Sequence, residues 1–407
     1  MTVRVSRSPL VILTCGTAVL MIAMGVRMSY GLWLVPASRD LGWGLETLSF
    51  AGALQALLWG FGTPIAGAVS DRYGAGRVLV FAGLSFATGL VLMAYATTPL
   101  EATLSIGVLT GLGMSACTFP IILSVISRAV PDPKKRVLYL GIASAAGSSG
   151  QFVLLPISQA VMDGYGWVVT LIFLAAVTAL IVPLAGALAG RAQPEETPGG
   201  AAKQSLGAAI REAGGHRGYI LLTSGYFVCG FQTLFIVSHF PALVGDKGIT
   251  PDVSAWAISL IGLFNIFGCL MWGALSAKTR KKYLLCWLYA LRSLAMAAFI
   301  LLPMSETSVL VFAAVIGMLW LGTVQLTGAV ISDIFGMKFM GTLFGLAFVS
   351  HQLGSFIGIW AGGWLYDIHG NYDVIWWSAI ALGVIAALLH FPIDDRPVER
   401  AAMQAAE

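Results

Sequence analysis

Three side chains that carry or can gain positive charge stand inside otherwise apolar stretches: Arg27, Arg292 and His351. Ionisable groups in such surroundings are costly and often functional. All 19 Asp and Glu residues fall in loops or at the ends of apolar runs. A cavity with fixed cations and no carboxylate suits an anionic ligand, because the ligand then supplies the missing charge. Arg27, in MGVRMSYGLWLVPA, is the stronger anchor. A guanidinium holds a carboxylate through two parallel hydrogen bonds, which a lysine cannot imitate. Tyr30 is three residues on and shares its helical face, so its hydroxyl is a second candidate contact. The competing structural reading has Arg27 snorkelling outward or bonding carbonyls of a broken helix. For Arg292 a packing or snorkelling role is the favoured reading. His351, followed by Gln352, can bond a carboxylate and titrates near neutral pH, which fits proton coupling. Its alternative is a neutral histidine bonded to neighbouring helices. Asn265 and Gln325, with Gln55, Ser115, Thr118, Ser148, Gln151 and Gln232, are weaker pore-lining candidates that equally serve as glue between helices.

The elements that must position these groups are membrane helices. The chain is 58% hydrophobic and 10% charged, too apolar for a soluble globule. Runs long enough to cross a bilayer, about 20 residues each, lie near 10–36, 45–69, 78–97, 100–127, 136–160 and 166–189. Six more lie near 219–244, 252–276, 282–303, 307–331, 340–365 and 372–392. The expected architecture is an all-α membrane protein of 12 transmembrane helices in two six-helix pseudo-repeats. Residues 1–189 and 218–393 form the two bundles, 190–217 a polar cytoplasmic linker, and 394–407 a loose polar tail. The first run is too long for a signal-peptide core and reads as a membrane helix. With the N-terminus inside, the loops on that side carry 19 Lys and Arg against two, Arg39 and Lys247, on the other. That bias places both termini in the cytoplasm of a multi-pass cell-membrane protein, the inner membrane in a two-membrane cell. The five cysteines all lie in apolar runs without metal-ligand spacing, and disulfides are not expected. No cluster of catalytic side chains, phosphate loop, cofactor motif, metal set or nucleic-acid patch is present, so the chain is read as a non-enzyme acting as a monomer in the lipid bilayer.

The chain is written twice. WGFGTPIAGAVSDRYGAGR, from Trp59 to Arg77, is echoed by GCLMWGALSAKTRKK, from Gly268 to Lys282, about 206 residues later. Gly67 matches Gly273 and Asp71 matches Ala277. Residues 127–167 align with 332–372, pairing Asp163 with Asp367. Parallel repeats of this kind put a substrate site near the midplane between halves that rock against each other. Gly67 to Arg77 is expected to form a short loop between the second and third helices, with Asp71 near the start of the third.

Gly67, Asp71, Arg72, Gly74 and Arg77 match Gly-x-x-x-Asp-Arg/Lys-x-Gly-x-x-Arg/Lys, and on this motif the chain resembles the major facilitator superfamily. The resemblance implies that this segment is a cytoplasmic gate latch, with Arg128 the expected partner of Asp71. A narrower resemblance is carried by GVRMSYGLWLVPASRDLGWGLETLSFAGALQ and SDIFGMKFMGTLFGLAFVSHQLGSFIGIWAGGWLYDIHGNYD, which are similar to the monocarboxylate transporter and oxalate:formate antiporter branch. That branch meets carboxylates with an arginine on the eighth helix and, in oxalate members, a lysine on the eleventh. Here Cys269 takes the arginine position and His351 the lysine position, so Arg27 would supply the fixed cation from the opposite half. The implied function is secondary transport of a small organic anion, a monocarboxylate before a dicarboxylate, with protons as a possible coupling ion. A drug exporter is the runner-up. It is disfavoured because the fifth run, GIASAAGSSGQFVLLPISQA, lacks the Gly-Pro pair of such exporters and no buried acid is present. A transport-inactive sensor has no feature in its favour.

Overall fold

The structure, a computed structural model, describes residues 8–130, 133–189, 205–336 and 339–398, without the side chains of residues 71, 120, 127–128, 133–138, 140–141 and 144. The first half comprises α1 (Pro9–Leu41), α2 (Leu45–Tyr73), α3 (Ala75–Ala94), α4 (Pro99–Ile126), and α5 and α6, which share the run Pro133–Ala179 and its continuation Ile181–Ala187. The second comprises α7 (Arg217–Asp246), α8 (Pro251–Ser276), α9 (Lys281–Leu301), α10 (Glu306–Phe335), α11 (Met340–His369) and α12 (Asp373–His390). Among the described residues eleven segments are long and apolar enough to span a membrane, but one of them, Ala145–Ala187, runs for 43 residues. At 1.5 Å per residue that is about twice a ~30 Å hydrocarbon core. Gly166, at φ 79°, reverses the chain inside it and divides α5 from α6, giving the expected twelve crossings.

The repeat seen in the sequence is also structural. The helix of α4 is interrupted at Cys117–Thr118 and that of α10 at Leu319–Leu321, about 204 residues apart. Pro36 in α1 and Pro241 in α7 sit at the same spacing. The linker contains a helix, Leu206–Gly215, begun by Ser205, whose hydroxyl accepts from the amide of Ala208.

Two expectations are corrected. The Gly67–Arg77 segment is not a loop. α2 continues through Tyr73 and α3 starts at Ala75, so the connection is Gly74 alone, whose φ of 95° favours glycine. Asp71 therefore lies in the last turn of α2, not at the start of α3. The tail is not loose over its first residues. Arg280 pairs with Asp395, Lys282 Nζ donates to the Ile393 carbonyl at 2.6 Å, and Val398 N–H donates to the Ile334 carbonyl at 2.9 Å.

The halves meet along α2–α11 and α5–α8 and where Gly31 of α1 packs on the Val237 carbonyl of α7, and every hydrogen bond between them among the described residues lies from mid-depth toward the end opposite the termini. At the rim, the Asp367 carboxylate on α11 accepts from the first amides of α2, Leu45 at 3.1 Å and Glu46 at 2.8 Å. It caps a helix of the other half, where the positive end of the macrodipole favours an anion. Below it, Trp360 Nε1 donates to Glu46, Phe50 meets Phe356, and Gln352 Nε2 donates to the Ala56 carbonyl at 2.9 Å. On the other seam Gln151 Nε2 reaches the Ile258 carbonyl and Asn265 Nδ2 reaches Ser148 Oγ at 2.8 Å. The deepest ring contact on the α2–α11 seam is Trp59 against Phe348. Beyond it the termini-bearing parts of these helices are uncrowded: Phe61 and Ile65 are exposed, and a Cβ on Gly67 or Gly345 would meet nothing. The molecule is sealed at one end and parted at the other.

Removing the cross-half cap should loosen the seal. Asp367→Ala is expected to forfeit about 1–2 kcal/mol, a shift of about fivefold to thirtyfold toward the open rim. A Ser49→Cys thiol, set beneath Gly363 in the seal, is then alkylated faster by an impermeant maleimide added on the sealed side. The tail makes a second case. The Arg280 guanidinium holds the Asp395 carboxyl below the usual carboxylate range. Its contribution is complete above the ordinary aspartate value of about 4 and is lost as pH falls through the lowered one. Amide exchange of 391–398 is expected to rise under such acid, and already at neutral pH in Asp395→Asn.

Candidate functional site

Arg27 sits at mid-depth of α1, beside a bend. Ser29 Oγ donates back to the Gly25 carbonyl at 3.0 Å, competing with the helical ladder, and the helix divides into Pro9–Met28 and Tyr30–Leu41. The Arg27 side chain is 2% exposed, and among the described residues none of its three guanidinium nitrogens has a hydrogen-bond partner. Its neighbour is the Tyr30 ring, 5.8 Å from the guanidinium carbon. A cation is thus held away from water with five N–H donors unspent. Tyr30 is committed elsewhere: its hydroxyl donates to the Leu48 carbonyl at 2.5 Å, and the ring packs on Gly52. It can offer a substrate its ring face or an oxygen lone pair, while its proton is already used.

Arg292, also buried, is treated in the opposite way. It donates to the carbonyls of Leu319 and Trp320, the latter at 2.7 Å, and its Nη1 lies 3.4 Å from Gln232 Oε1. Those carbonyls belong to the break in α10, where helical bonding lapses. Trp272 Nε1 takes the Met318 carbonyl at 2.9 Å, and the Leu321 amide donates to Asn265 Oδ1 at 2.9 Å. Irregular backbone at membrane depth survives only when its polar groups are met by protein or water. Arg292, Trp272 and Asn265 meet them here.

Asn265 therefore braces α10 with its oxygen and bridges to Ser148 with its nitrogen. Cys269, one turn on, donates to the same oxygen at 3.6 Å. His351 is 5% exposed, with Nδ1 2.9 Å from Gln352 Oε1. Its ring stacks on Phe348 and tilts against Tyr226, and it lies beside Cys229, whose sulfur is 3.0 Å from Thr323 Oγ1. Gln352 links this histidine to the other half through Ala56. Gln325, just past the break in α10, is exposed, with no side-chain partner among the described residues. Arg72 and Arg77 are exposed at the parted end, Arg72 over the Tyr73 ring, and Gly67 is open on its Cβ side. The Asp71–Arg128 pairing falls outside the described side chains.

His351 and Gln352 thus sit on the α2–α11 seam and Asn265 on the α5–α8 seam, while Arg27 is buried beside Tyr30 in the first half. Residues that sequence reasoning missed are Trp59, Phe348 and Tyr226, at the edge of the seal, and Asp367 as a cross-half cap. Asp367 had a signal, its repeat partner Asp163. The aromatic residues had none beyond being large apolar side chains in apolar runs. Among the described residues no group of three His, Cys, Asp or Glu could hold a metal, and the five cysteines are free.

This architecture, two six-helix halves around a midplane cation, is that of a membrane transporter. Residues 15–358 and 222–406 match the Major Facilitator Superfamily, and the chain belongs to it. It is 25% identical over 383 residues to monocarboxylate transporter 13 of Rattus norvegicus, covering 91% of this chain and 86% of that one. It is 24% identical over 383 residues to the uncharacterized MFS-type transporter YcxA of Bacillus subtilis, covering 91% of each. Among solved structures, a bacterial homologue of the human lysosomal transporter Spinster superposes with a TM-score of 0.74 at 16% identity, covering 96% of this chain and 97% of that one. A D-xylose–proton symporter does so with 0.68 at 15%, covering 95% and 97%.

The contrast between the two arginines gives a paired expectation. Arg292→Ala orphans two buried carbonyls, each costing about 1–3 kcal/mol, and lowers the melting temperature of the purified protein. Arg27→Gln removes a buried charge that has no partner, so without ligand it leaves the melting temperature unchanged or raises it.

Proposed function

We propose that this chain is a secondary transporter that moves a small organic anion, a monocarboxylate, across the cell membrane by alternating access. The observation that carries this reading is the Arg27 guanidinium, buried at mid-depth with all three nitrogens unpartnered. A carboxylate entering from the parted end forms two parallel charge-assisted bonds there. It also cancels a charge that otherwise opposes closure of the protein around it. Binding energy is thereby spent on the conformational change, which is what a transporter needs. Support for the substrate class comes from the relatives named monocarboxylate transporters. The single fixed cation favours a singly charged acid, because Cys269 stands where an oxalate-type site has an arginine.

His351 is the coupling group in this reading. An imidazole Nδ1–H donates to Gln352 Oε1, which fixes the amide so that its nitrogen reaches Ala56 across the halves. The proton and the carboxylate then travel together. The bias of Lys and Arg toward the loops on the side of the termini makes the parted end cytoplasmic. The latch role of Asp71, Arg72 and Arg77, with Arg128 as partner, belongs to the same cycle and acts when that end closes.

Proteoliposomes test this. Labelled monocarboxylate uptake is expected to rise under an acid-outside gradient and to show counterflow. Arg27→Lys lowers kcat/KM at least about tenfold by losing the bidentate geometry. His351→Asn retains counterflow and loses the response to the gradient. Uptake of lipophilic cations with no response to carboxylates would overturn the reading.

A further inference from the structure

The inner edge of the seal is built from rings. Trp59 on α2 meets Phe348 on α11 edge to face, with ring centroids 5.5 Å apart. Phe348 stacks on His351 at 5.5 Å, His351 meets Tyr226 of α7 at 4.8 Å, and Tyr226 meets Phe344 at 6.0 Å. This row crosses from one half to the other at the layer where the halves part. Its members are not packed out of reach, since Phe344 and Phe348 are only half-buried. Two polar atoms on it are unspent. Trp59 Nε1 and the Tyr226 hydroxyl are both buried and have no hydrogen-bond partner among the described residues; Trp59 as a whole is 9% and Tyr226 0% exposed. Buried indole and phenol groups ordinarily find partners.

Trp59, at one end of the row, is level with the fixed cation. Arg27, Trp59 and Asn265 each lie fourteen residues from the sealed-end terminus of their helix. That is about 21 Å of rise in each case. A ligand tethered to Arg27 at this depth has its remaining atoms at the layer of the ring row. A two- or three-carbon acid fills little of that layer. A flat ring can slip beside Trp59 and Phe348 in the edge-to-face or offset arrangement that aromatic groups prefer.

We propose that the transported acid is an aromatic monocarboxylate, its carboxylate on Arg27 and its ring against Trp59 and Phe348. This rests on the anion reading of Arg27 and adds the chemistry of the rest of the substrate. Trp59 and Phe348 are specificity-determining residues, one from each half, so the ring is gripped by both halves at once. An aliphatic acid of similar charge keeps the arginine contact and loses this grip.

The test is a melting-temperature titration of purified full-length protein with acetate, propionate and pyruvate beside phenylacetate and phenylpyruvate. The aryl acids are expected to stabilise wild type at concentrations about tenfold lower or more than the aliphatic ones. Trp59→Leu and, separately, Phe348→Leu are expected to abolish that difference while leaving the aliphatic midpoints in place. Two variants are used so that misfolding of one does not decide the matter. Aryl and aliphatic acids matched within about threefold, or variants that weaken both classes alike, overturn the ring assignment and leave the Arg27 reading standing. If no acid of either class stabilises the wild type, both the ring assignment and the anion reading fall.

Discussion

A guanidinium at the centre of a bilayer with nothing beside it to share its charge is among the more expensive things a membrane protein can hold. Arg27 is in that position, and much of the molecule makes sense around it. The chain could have satisfied it from within, as it satisfies Arg292 with the carbonyls of a broken helix. Instead the Ser29 bend spends its hydroxyl on Gly25, and Tyr30 spends its own on Leu48. Both oxygens nearest in sequence are turned to other work, and among the described residues the cation is left without a partner.

The seal has the complementary character. Each of its polar contacts is made between a side chain of one half and backbone or side chain of the other: Asp367 on α2, Trp360 on Glu46, Gln352 on Ala56, Gln151 on Ile258, Asn265 on Ser148. These are a handful of bonds across a long seam, each individually modest in worth. They fit a joint that must open and reseal, unlike the braced break in α10, which is buried within one half and satisfied by three residues of that same half.

Much of the fold was legible because the bilayer imposes a coarse, strong constraint. Apolar runs of the right length have to be helices, and twelve of them could be counted. The repeat was visible because Gly67 and Gly273, and Asp163 and Asp367, keep their spacing. What could not be read was where helices break or merge. The Gly67–Arg77 glycines looked like a loop, yet only Gly74 leaves the helix, since glycine permits a turn without requiring one. The α10 break was invisible because its cause is distributed over Asn265, Trp272 and Arg292, far away in sequence. Arg27 and His351 stood out because charge in an apolar run is conspicuous. Trp59 and Phe348 did not, because a ring lining a passage and a ring packed in a core have the same composition.

The pseudo-symmetry of the rim is broken in one place. Asp367 reaches across to α2, whereas its repeat partner Asp163 accepts from Gln159 in its own helix, at 2.7 Å, and reaches no one. One seam is therefore pinned at its lip and the other is not. If the halves rock as proposed, a lid fastened along one edge swings rather than lifts, with the α2–α11 lip as its hinge. Substrate entry on that side would then follow a slanted slot along one flank, a lopsided path through a scaffold that is nearly two-fold.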